Sequence, residues 1–201
     1  MADFDPGEVT YRFLDPKHEF GGLPDSPSFE RMIEISNSVW GETDAGGDTE
    51  FFEKVFMDPR AMTYVAEHNG QIVGYVNAVP AELVPDNFVE ADSEKIGNKS
   101  CYEHEINVDE EYRGTGIGRK LLSLALNEAR HRGYENLSCH SDEDPSVVGH
   151  MRSRYNPRVI GKYNWSETPG EELNFWLDVI DVDPSHARGV LPSESLVLYR
   201  K

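Results

Sequence analysis

Apolar and polar residues follow two different periods along the first half of the chain. Residues 9–13 alternate and are rich in β-formers, which predicts a first strand. Apolar residues at helical spacing predict amphipathic helices over residues 29–40 and 48–57. Residues 61–67 and 71–79 flank an Asn69-Gly70 pair, and Asn-Gly between two β-rich runs is a strong hairpin signal.

The second half continues with strands and helices in turn, after an acidic loop over residues 80–100. Its predicted elements are a strand at 101–108, a helix at 116–132, a strand at 135–140, a helix at 144–155, and β-rich segments at 158–165, 174–180 and 195–199. Neither a repeat nor a linker interrupts this order. The pattern therefore predicts one α/β domain over residues 1–201, a mixed sheet with helices.

Charge narrows the classes of partner. The chain has 201 residues, which is long enough to bury a core without disulfides or a metal. It carries 37 Asp and Glu against 19 Lys and Arg, a net charge of −18. Such a surface repels nucleic acid and anionic membranes, since both require a basic face. The excess of acid is also typical of proteins from a high-salt cytoplasm, and an acidic protein from ordinary salt is the alternative.

The cysteines and the N-terminus predict a reducing cytoplasmic location. Residues 1–6 are acidic and lack the apolar segment of a signal peptide, and no window approaches the roughly 20 apolar residues of a membrane span. Cys101 and Cys139 fall in what would be adjacent parallel strands, one early and one late, so we expect no disulfide. No metal-ligand spacing appears, and no metal is expected.

A glycine-rich segment after the strand at 101–108 carries the chemical signal. Residues 106–119 read Ile-Asn-Val-Asp-Glu-Glu-Tyr-Arg-Gly-Thr-Gly-Ile-Gly-Arg. Glycines let a backbone approach a ligand closely, and the amides and dipole of a helix start favour an anion such as a diphosphate. The P-loop and dinucleotide-binding patterns both fail on spacing. A glycine-rich turn that only packs a helix on a sheet is the structural alternative.

The pattern Arg-x-x-Gly-x-Gly, made by Arg113, Gly116 and Gly118, resembles the acyl-CoA-binding motif of the GCN5-related N-acetyltransferase superfamily. The order of elements from about residue 9 to 199 is similar to that fold as well. The resemblance implies a mixed, mostly antiparallel central sheet flanked by helices, with a splayed parallel strand pair that binds acetyl-CoA as co-substrate.

The resemblance also implies residues for each part of the cofactor. The amide of Ile106 would polarise the thioester carbonyl. Backbone groups of Ile106, Asn107 and Val108 would hold the pantetheine arm. The pyrophosphate cradle would comprise Arg113, Gly114, Thr115, Gly116, Ile117, Gly118 and Arg119.

The strand at 101–108 contains an unusual run of polar residues and thereby the candidates for a general base. Burying such groups unpaired is costly, whereas a strand face that opens on a wet cleft avoids that cost. His104 is the first candidate, because its unperturbed pKa lies near working pH and its place before Ile106 is similar to that of a catalytic histidine in some relatives. Glu105 and Glu103 are the reserves, and a polar strand rim is the alternative for all three.

Family members usually carry a tyrosine acid on the helix after the next strand, and Tyr155 matches it by position. The surroundings depart from the family pattern, because Val148 and Met151 stand where Asn and Ala are usual and no Gly-Phe follows. Tyr155 is therefore a candidate acid or a packed tyrosine. The same departure leaves open a non-catalytic acyl-CoA-binding module as an alternative function.

The resemblance implies transfer of an acetyl group to a primary amine by direct attack. The acceptor would lie near residues 20–56 and the loop 80–100, and their acidic residues suit a cationic amine such as a polyamine, an aminoglycoside or a lysine-bearing peptide. Because the whole chain is acidic, this local excess discriminates little. A nucleotide-binding oxidoreductase is disfavoured by the motif spacing, and a homodimer through the C-terminal strands is left open.

Overall fold

A computed structural model of the protein describes residues 6–15, 26–40, 49–84, 99–142, 155, 157–164 and 174–182. The helices are α1 (Pro27–Trp40), α2 (Thr49–Met57) and α3 (Ile117–His131). The strands are β1 (Thr10–Phe13), β2 (Met62–His68), β3 (Gln71–Pro80), β4 (Ser100–Val108), β5 (Asn136–Asp142), β6 (Arg158–Asn164) and β7 (Asn174–Asp181). Each matches a predicted element to within a few residues. The predicted helix at 144–155, apart from its last residue, and the strand at 195–199 lie outside the described residues.

The described strands form one sheet in the order β1-β2-β3-β4-β5-β7-β6. Its only parallel pair among the described strands is β4–β5, and the other neighbours are antiparallel. The β2–β3 hairpin turns at Asn69 and Gly70, whose φ angles of 53° and 76° are the left-handed values that such a two-residue turn requires. The predicted mixed, mostly antiparallel sheet is confirmed.

Helices cover the sheet on both faces. α1 and α2 pack on one face, where Met32, Ile35 and Phe56 meet Tyr75 and other residues of one buried cluster. α3 packs on the other face through a second cluster that includes Ile117 and Leu121. We call these the α1 face and the α3 face. Because successive side chains of a strand point to opposite faces, the residues of β4 should alternate between the α1 face and the α3 face.

A bulge interrupts this alternation in β4. Glu103 lies opposite Ala78 of β3, and Glu105 lies opposite Asn77, so His104 is an extra residue without a counterpart. One extra residue on one strand is the definition of a β-bulge, and it rotates the side chains that follow. As a result, His104 and Glu105 both lie on the α1 face although they are consecutive.

The parallel pair β4–β5 separates directly before the bulge. Pairing runs from Ser100 opposite Asn136 to Glu103 opposite Cys139 and stops there. Both strands continue, β4 to Val108 and β5 to Asp142. The two strands therefore diverge after Glu103, and we call the gap between them the opening, with its apex at Glu103.

The two cysteines lie in adjacent parallel strands, as the sequence predicts. Cys101 faces Leu137, whereas Cys139 faces Glu103, and both are buried and in the thiol form, outside any disulfide. Burial raises the pKa of the Cys101 thiol to about 12. That thiol is therefore neutral at physiological pH, and Cys101 packs as a small apolar residue.

Candidate active site

The glycine-rich turn opens directly into α3. Gly114 and Gly116 have φ angles of 76° and 91°, in the left-handed region where any side chain is strained. Gly116 is the N-cap of α3, and no side chain there bonds to the first helical amides. The free amides and the positive end of the helix dipole are therefore left for a ligand, which favours an anion.

Neighbouring side chains fix this turn and add positive charge to it. The Thr115 hydroxyl donates to the carbonyl of Tyr112 at 2.6 Å, and Arg113 Nε donates to the carbonyl of Val108 at 3.0 Å. The Arg119 guanidinium lies 3.6 Å from the position that a Cβ at Gly116 would take. A side chain at position 116 would thus occupy the space between the amides and that guanidinium. This arrangement fits a diphosphate.

The glycine-rich turn and the first turn of α3 lie close to the sheet because β3 has a glycine, Gly74, opposite Val108 at the end of β4. A Cβ at Gly74 would lie 3.1 Å from the Asn107 carbonyl and 3.3 Å from Ile117 Cγ2. A Cβ at Gly118 would lie 3.5 Å from Val108 Cγ2. Small residues at these two positions seat the first turn of α3 beside the end of β4.

The end of β4 has one paired edge and one edge turned to the opening. Ile106, Asn107 and Val108 pair with Val76, Tyr75 and Gly74 of β3. Their other edge has no register partner in the described part of β5, since that pairing ends at Glu103. An extended ligand can use such an edge to form main-chain hydrogen bonds, as an added strand would.

Glu105 is buried on the α1 face within a set of hydrogen bonds. The residue is only 7% exposed to solvent. Ser36 Oγ of α1 donates to Oε1 at 3.0 Å, Asn107 Nδ2 donates to Oε2 at 3.0 Å, and the Tyr75 hydroxyl donates to Oε2. Burial raises the pKa of Glu105 to about 7, while the three donors favour the ionised form and act in the opposite direction.

His104 lies beside Glu105 but in apolar surroundings. Its ring packs edge-on against Phe56, with centroids 6.4 Å apart. Burial lowers the pKa of the imidazole to about 4, so the ring is neutral at pH 7 and a weak base. The assignment of His104 as general base stays a prediction, and the pKa of Glu105 is the closer of the two to neutral pH.

Glu103 lies on the α3 face, where Ala78 opposite it packs into the buried cluster under α3. It is also 7% exposed. Burial in the first place, and the charge of Glu105 in the second, raise the pKa of Glu103 to about 8. Glu103 is therefore mostly protonated at pH 7.

Tyr155 contacts the helix that begins at the glycine-rich turn. Its hydroxyl lies 3.0 Å from Ser123 Oγ, and Ser123 Oγ donates to the Arg119 carbonyl at 2.9 Å. Either hydroxyl can be the donor in the first bond. Val148 and Met151, where the sequence departs from the family pattern, lie outside the described residues. The role of Tyr155 as acid stays a prediction.

Sequence reasoning missed the partners of Glu105 and a link between α1 and the glycine-rich turn. Ser36 and Tyr75 lie in elements whose pattern indicates only packing, so nothing in the sequence singles them out. In the link, Arg31 of α1 forms an ion pair with Asp109 at the end of β4, and its Nε donates to the Ile72 carbonyl at 3.1 Å. α1 is thereby fixed to the strand end that precedes the turn.

The described residues contain neither a metal-binding cluster nor a helix that could span a membrane. Those residues contain no group of three or more His, Cys, Asp or Glu placed to hold a metal ion. None of the helices among them has the length and apolar character that crossing a bilayer requires.

Comparison with known proteins gives the class. The model of the acetyltransferase (GNAT) family matches residues 29–148, which include α1, the splayed strands and the glycine-rich turn. The chain therefore belongs to the GNAT acetyltransferase family.

Two curated relatives are similar to part of this chain in sequence. N-acetyltransferase family 8 member 2 of Rattus norvegicus is 30% identical over 84 residues, which make up 42% of this chain and 33% of the relative. N-acetyltransferase 8 of the same species is 34% identical over 74 residues, 37% of this chain and 29% of that relative. The chain thus spans about a third of the length of the curated relatives it matches.

Two solved structures share the fold at low identity. An N-acetyltransferase from Staphylococcus aureus Mu50 has a TM-score of 0.62 at 17% identity, over 87% of this chain and 98% of that one. A GNAT family acetyltransferase from Elizabethkingia anophelis with acetyl-CoA bound has a TM-score of 0.57 at 14% identity, over 87% and 98% of the two chains.

Proposed function

We propose that this protein is an acetyl-CoA-dependent N-acetyltransferase that transfers the acetyl group to a primary amine by direct attack. The observation that carries the proposal is the opening between β4 and β5, which has an anion site at its wide end and a buried carboxyl, Glu105, beside its apex. Membership of the family and the bound acetyl-CoA of one structural neighbour support the choice of co-substrate.

Each part of the opening has a task in cofactor binding. The amides from Gly114 to Gly118 and the Arg119 guanidinium hold the pyrophosphate. The edge of β4 at Ile106–Val108 forms main-chain hydrogen bonds with the pantetheine arm. The Ile106 amide donates to the thioester carbonyl and stabilises the negative charge that develops on its oxygen.

Glu105 is the general base in this proposal. An aliphatic ammonium must lose a proton before its nitrogen can attack, and a base whose pKa lies near the working pH does this best. The pKa of Glu105, about 7, meets that condition, whereas that of His104, about 4, does not. The carboxylate accepts the proton directly or through one water, and the neutral nitrogen forms its bond to the acetyl carbon. The carbon–sulfur bond then breaks with its electron pair on sulfur, the thiolate takes up a proton, and the nitrogen loses its second proton to solvent as the amide forms.

Charge and cysteine chemistry support a class of acceptor and a cellular location for this proposal. A net charge of −18 attracts a cationic amine, which we propose as the acceptor class. The same charge and the two buried thiols support a reducing, salt-rich cytoplasm as the location. Dimerisation through the C-terminal strands stays a prediction.

Calorimetric titration with acetyl-CoA, with NAD as the comparison ligand and at both low and molar salt, tests the proposal. We expect a Kd on the order of micromolar for acetyl-CoA. Gly116→Trp fills the anion site and should weaken binding by at least about tenfold, an energy of about 1.4 kcal/mol. Gly133→Trp is the matched control, since its φ of 83° brings the same strain at the far end of α3.

Three outcomes are distinct. No binding by folded wild-type protein at any salt contradicts the proposal and assigns the glycine-rich turn to packing. Equal losses in both glycine variants indicate strain and not a blocked site. Tight binding without turnover over a broad panel of amines favours the non-catalytic acyl-CoA-binding module.

A further inference from the structure

A second buried carboxyl, that of Glu103, lies at the apex of the opening and has no role in the mechanism proposed above. Glu103 is the last residue of β4 that pairs with β5, and the two strands diverge immediately after it. The residue is only 7% exposed, and the pKa of its carboxyl is raised by burial and by the charge of Glu105, with no hydrogen bond among the causes. Glu103 is therefore a buried acid at the point where the two strands diverge.

Glu103 and Glu105 lie on opposite faces because of the bulge at His104. Opposed residues of neighbouring strands share a face. Ala78, opposite Glu103, packs under α3, whereas Tyr75 on the same strand packs under α1 and bonds to Glu105. The amine-side base and Glu103 are thus separated by the strand itself.

The reach of the cofactor brings its sulfur toward Glu103. The glycine-rich turn adjoins Val108, and five residues of strand at about 3.3 Å each place the apex roughly 16 Å from that end. An extended pantetheine arm, anchored by its pyrophosphate at the turn, has a similar length. Its thiol end therefore arrives near the apex, where the α3 face presents Glu103.

We propose that Glu103 is the proton donor to the leaving thiolate of coenzyme A. This inference rests on the proposed acetyltransferase function. The carbon–sulfur bond breaks, its electron pair goes to sulfur, and the carboxylic acid of Glu103 gives its proton to that sulfur. Before this, Glu105 has taken one proton from the ammonium. The nitrogen releases its second proton to solvent as the amide forms, and exchange with solvent then deprotonates Glu105 and reprotonates Glu103.

The groups around Glu103 keep it in the acid form. Tyr102, Cys101 and Glu105 of β4 and Cys139 of β5 are the titratable groups whose charges couple to it or that face it. None of these is a cation, so nothing among them stabilises a carboxylate. Burial raises the pKa of Glu103 to about 8, close to that of a thiol, which suits proton transfer to sulfur.

The ionisation of bound coenzyme A tests the proposal without any acceptor amine. The thiolate of bound coenzyme A is followed by its ultraviolet absorbance as pH rises, in wild-type protein and in Glu103→Gln. In the wild type, an ionised Glu103 next to the sulfur disfavours the thiolate and raises the thiol pKa. We expect the thiol pKa to fall by about one unit in Glu103→Gln. Glu135→Gln, which removes an exposed carboxylate before β5, should leave it unchanged.

Turnover gives the second readout once an acceptor amine is in hand. A proton donor must be protonated, so the wild-type kcat should decline above about pH 8. Glu103→Gln should lose roughly 10²-fold in kcat and that alkaline decline, with an unchanged Kd for acetyl-CoA. Tyr155→Phe is the comparison variant for the other candidate donor.

The possible results distinguish the role of Glu103 as proton donor from the proposed acetyltransferase function. Failure of the wild type to bind coenzyme A overturns both. Normal binding with the same thiol pKa in Glu103→Gln and wild type overturns the role of Glu103 alone. A loss of the alkaline decline in Tyr155→Phe, with Glu103→Gln unaffected, assigns the donor to Tyr155.

Discussion

Glu103 and Glu105 stand two residues apart on one strand and are equally buried, yet the sheet gives them opposite surroundings. On the α1 face, three donors from α1, β3 and β4 bind Glu105. On the α3 face, no described residue donates to Glu103. Donors favour the carboxylate and bare burial favours the acid, so the two side chains suit the opposite proton transfers that we propose for them.

The difference depends on a single inserted residue. Without the bulge, residues 103 and 105 would share a face because a strand alternates its side chains. With His104 inserted, Glu103 faces α3 while Glu105 faces α1. The bulge also directly follows the last β4–β5 pair, so the carboxyls are separated at the same point of β4 at which the two strands stop pairing.

The largest expected effect is that of removing the base. Glu105→Gln keeps the size of the side chain and cannot accept a proton, so kcat/KM should fall by roughly 10²- to 10⁴-fold. His104→Gln should reduce it by less than about tenfold, because the imidazole pKa is already too low for the task. Steady-state kinetics on both variants decides between the two residues, and the reverse ranking would restore His104 as base.

The next largest effect is expected in the free energy of unfolding of Glu103→Gln and not in a reaction rate. A carboxyl whose pKa is higher in the folded than in the unfolded state loses stability as pH rises from the unfolded pKa through the folded one. For Glu103 this window runs from 4.5 to about 8. Glu103→Gln should therefore gain stability over the wild type progressively from about pH 5 to about pH 8, by about 3 to 5 kcal/mol at the alkaline end.

Urea unfolding at a series of pH values measures that gain. Glu105→Gln should show a smaller gain, because its three donors already stabilise the native carboxylate and are disturbed by the change. A difference between wild type and Glu103→Gln that does not vary with pH would mean that Glu103 has an ordinary pKa in the folded protein.

The fold and the strand that carries the site could be predicted from the sequence, but the different surroundings of Glu103 and Glu105 could not. Glycine spacing, the Asn69-Gly70 turn and the strand periods predict the fold, because each depends on neighbours along the chain. The polar run at 103–107 also indicates β4 as the site strand. Which face each side chain takes depends on a bulge defined only by pairing with β3, and sequence alone does not give that register. Ser36 comes from a helix far away in sequence, so its bond to Glu105 is equally out of reach.

A smaller effect is expected from removing the hydroxyl of Tyr75. Its bond favours the ionised form of Glu105, so Tyr75→Phe raises the pKa of that carboxyl. The base works only when ionised, and the acid limb of the profile of kcat/KM against pH should shift upward by about one unit. Tyr64→Phe is the matched control, because it removes a tyrosine hydroxyl that bonds to Glu128, at 3.2 Å, and not to Glu105. An unmoved limb in Tyr75→Phe would mean that another group controls it.

The smallest effect is expected at Ser36, the only one of the three donors that comes from a helix. Ser36→Ala removes the bond to Oε1 and leaves both bonds to Oε2, so the acid limb should move in the same direction by about half a unit. Ser38→Ala on the same helix is the control, since its hydroxyl bonds at 2.7 Å to the Ile35 carbonyl and should leave the limb in place. An equal shift in both variants would trace the effect to a loosened helix α1. A shift in Ser36→Ala alone would show that the helix on the acceptor side takes part in keeping Glu105 ionised, while Glu103, on the other face, has no such donor.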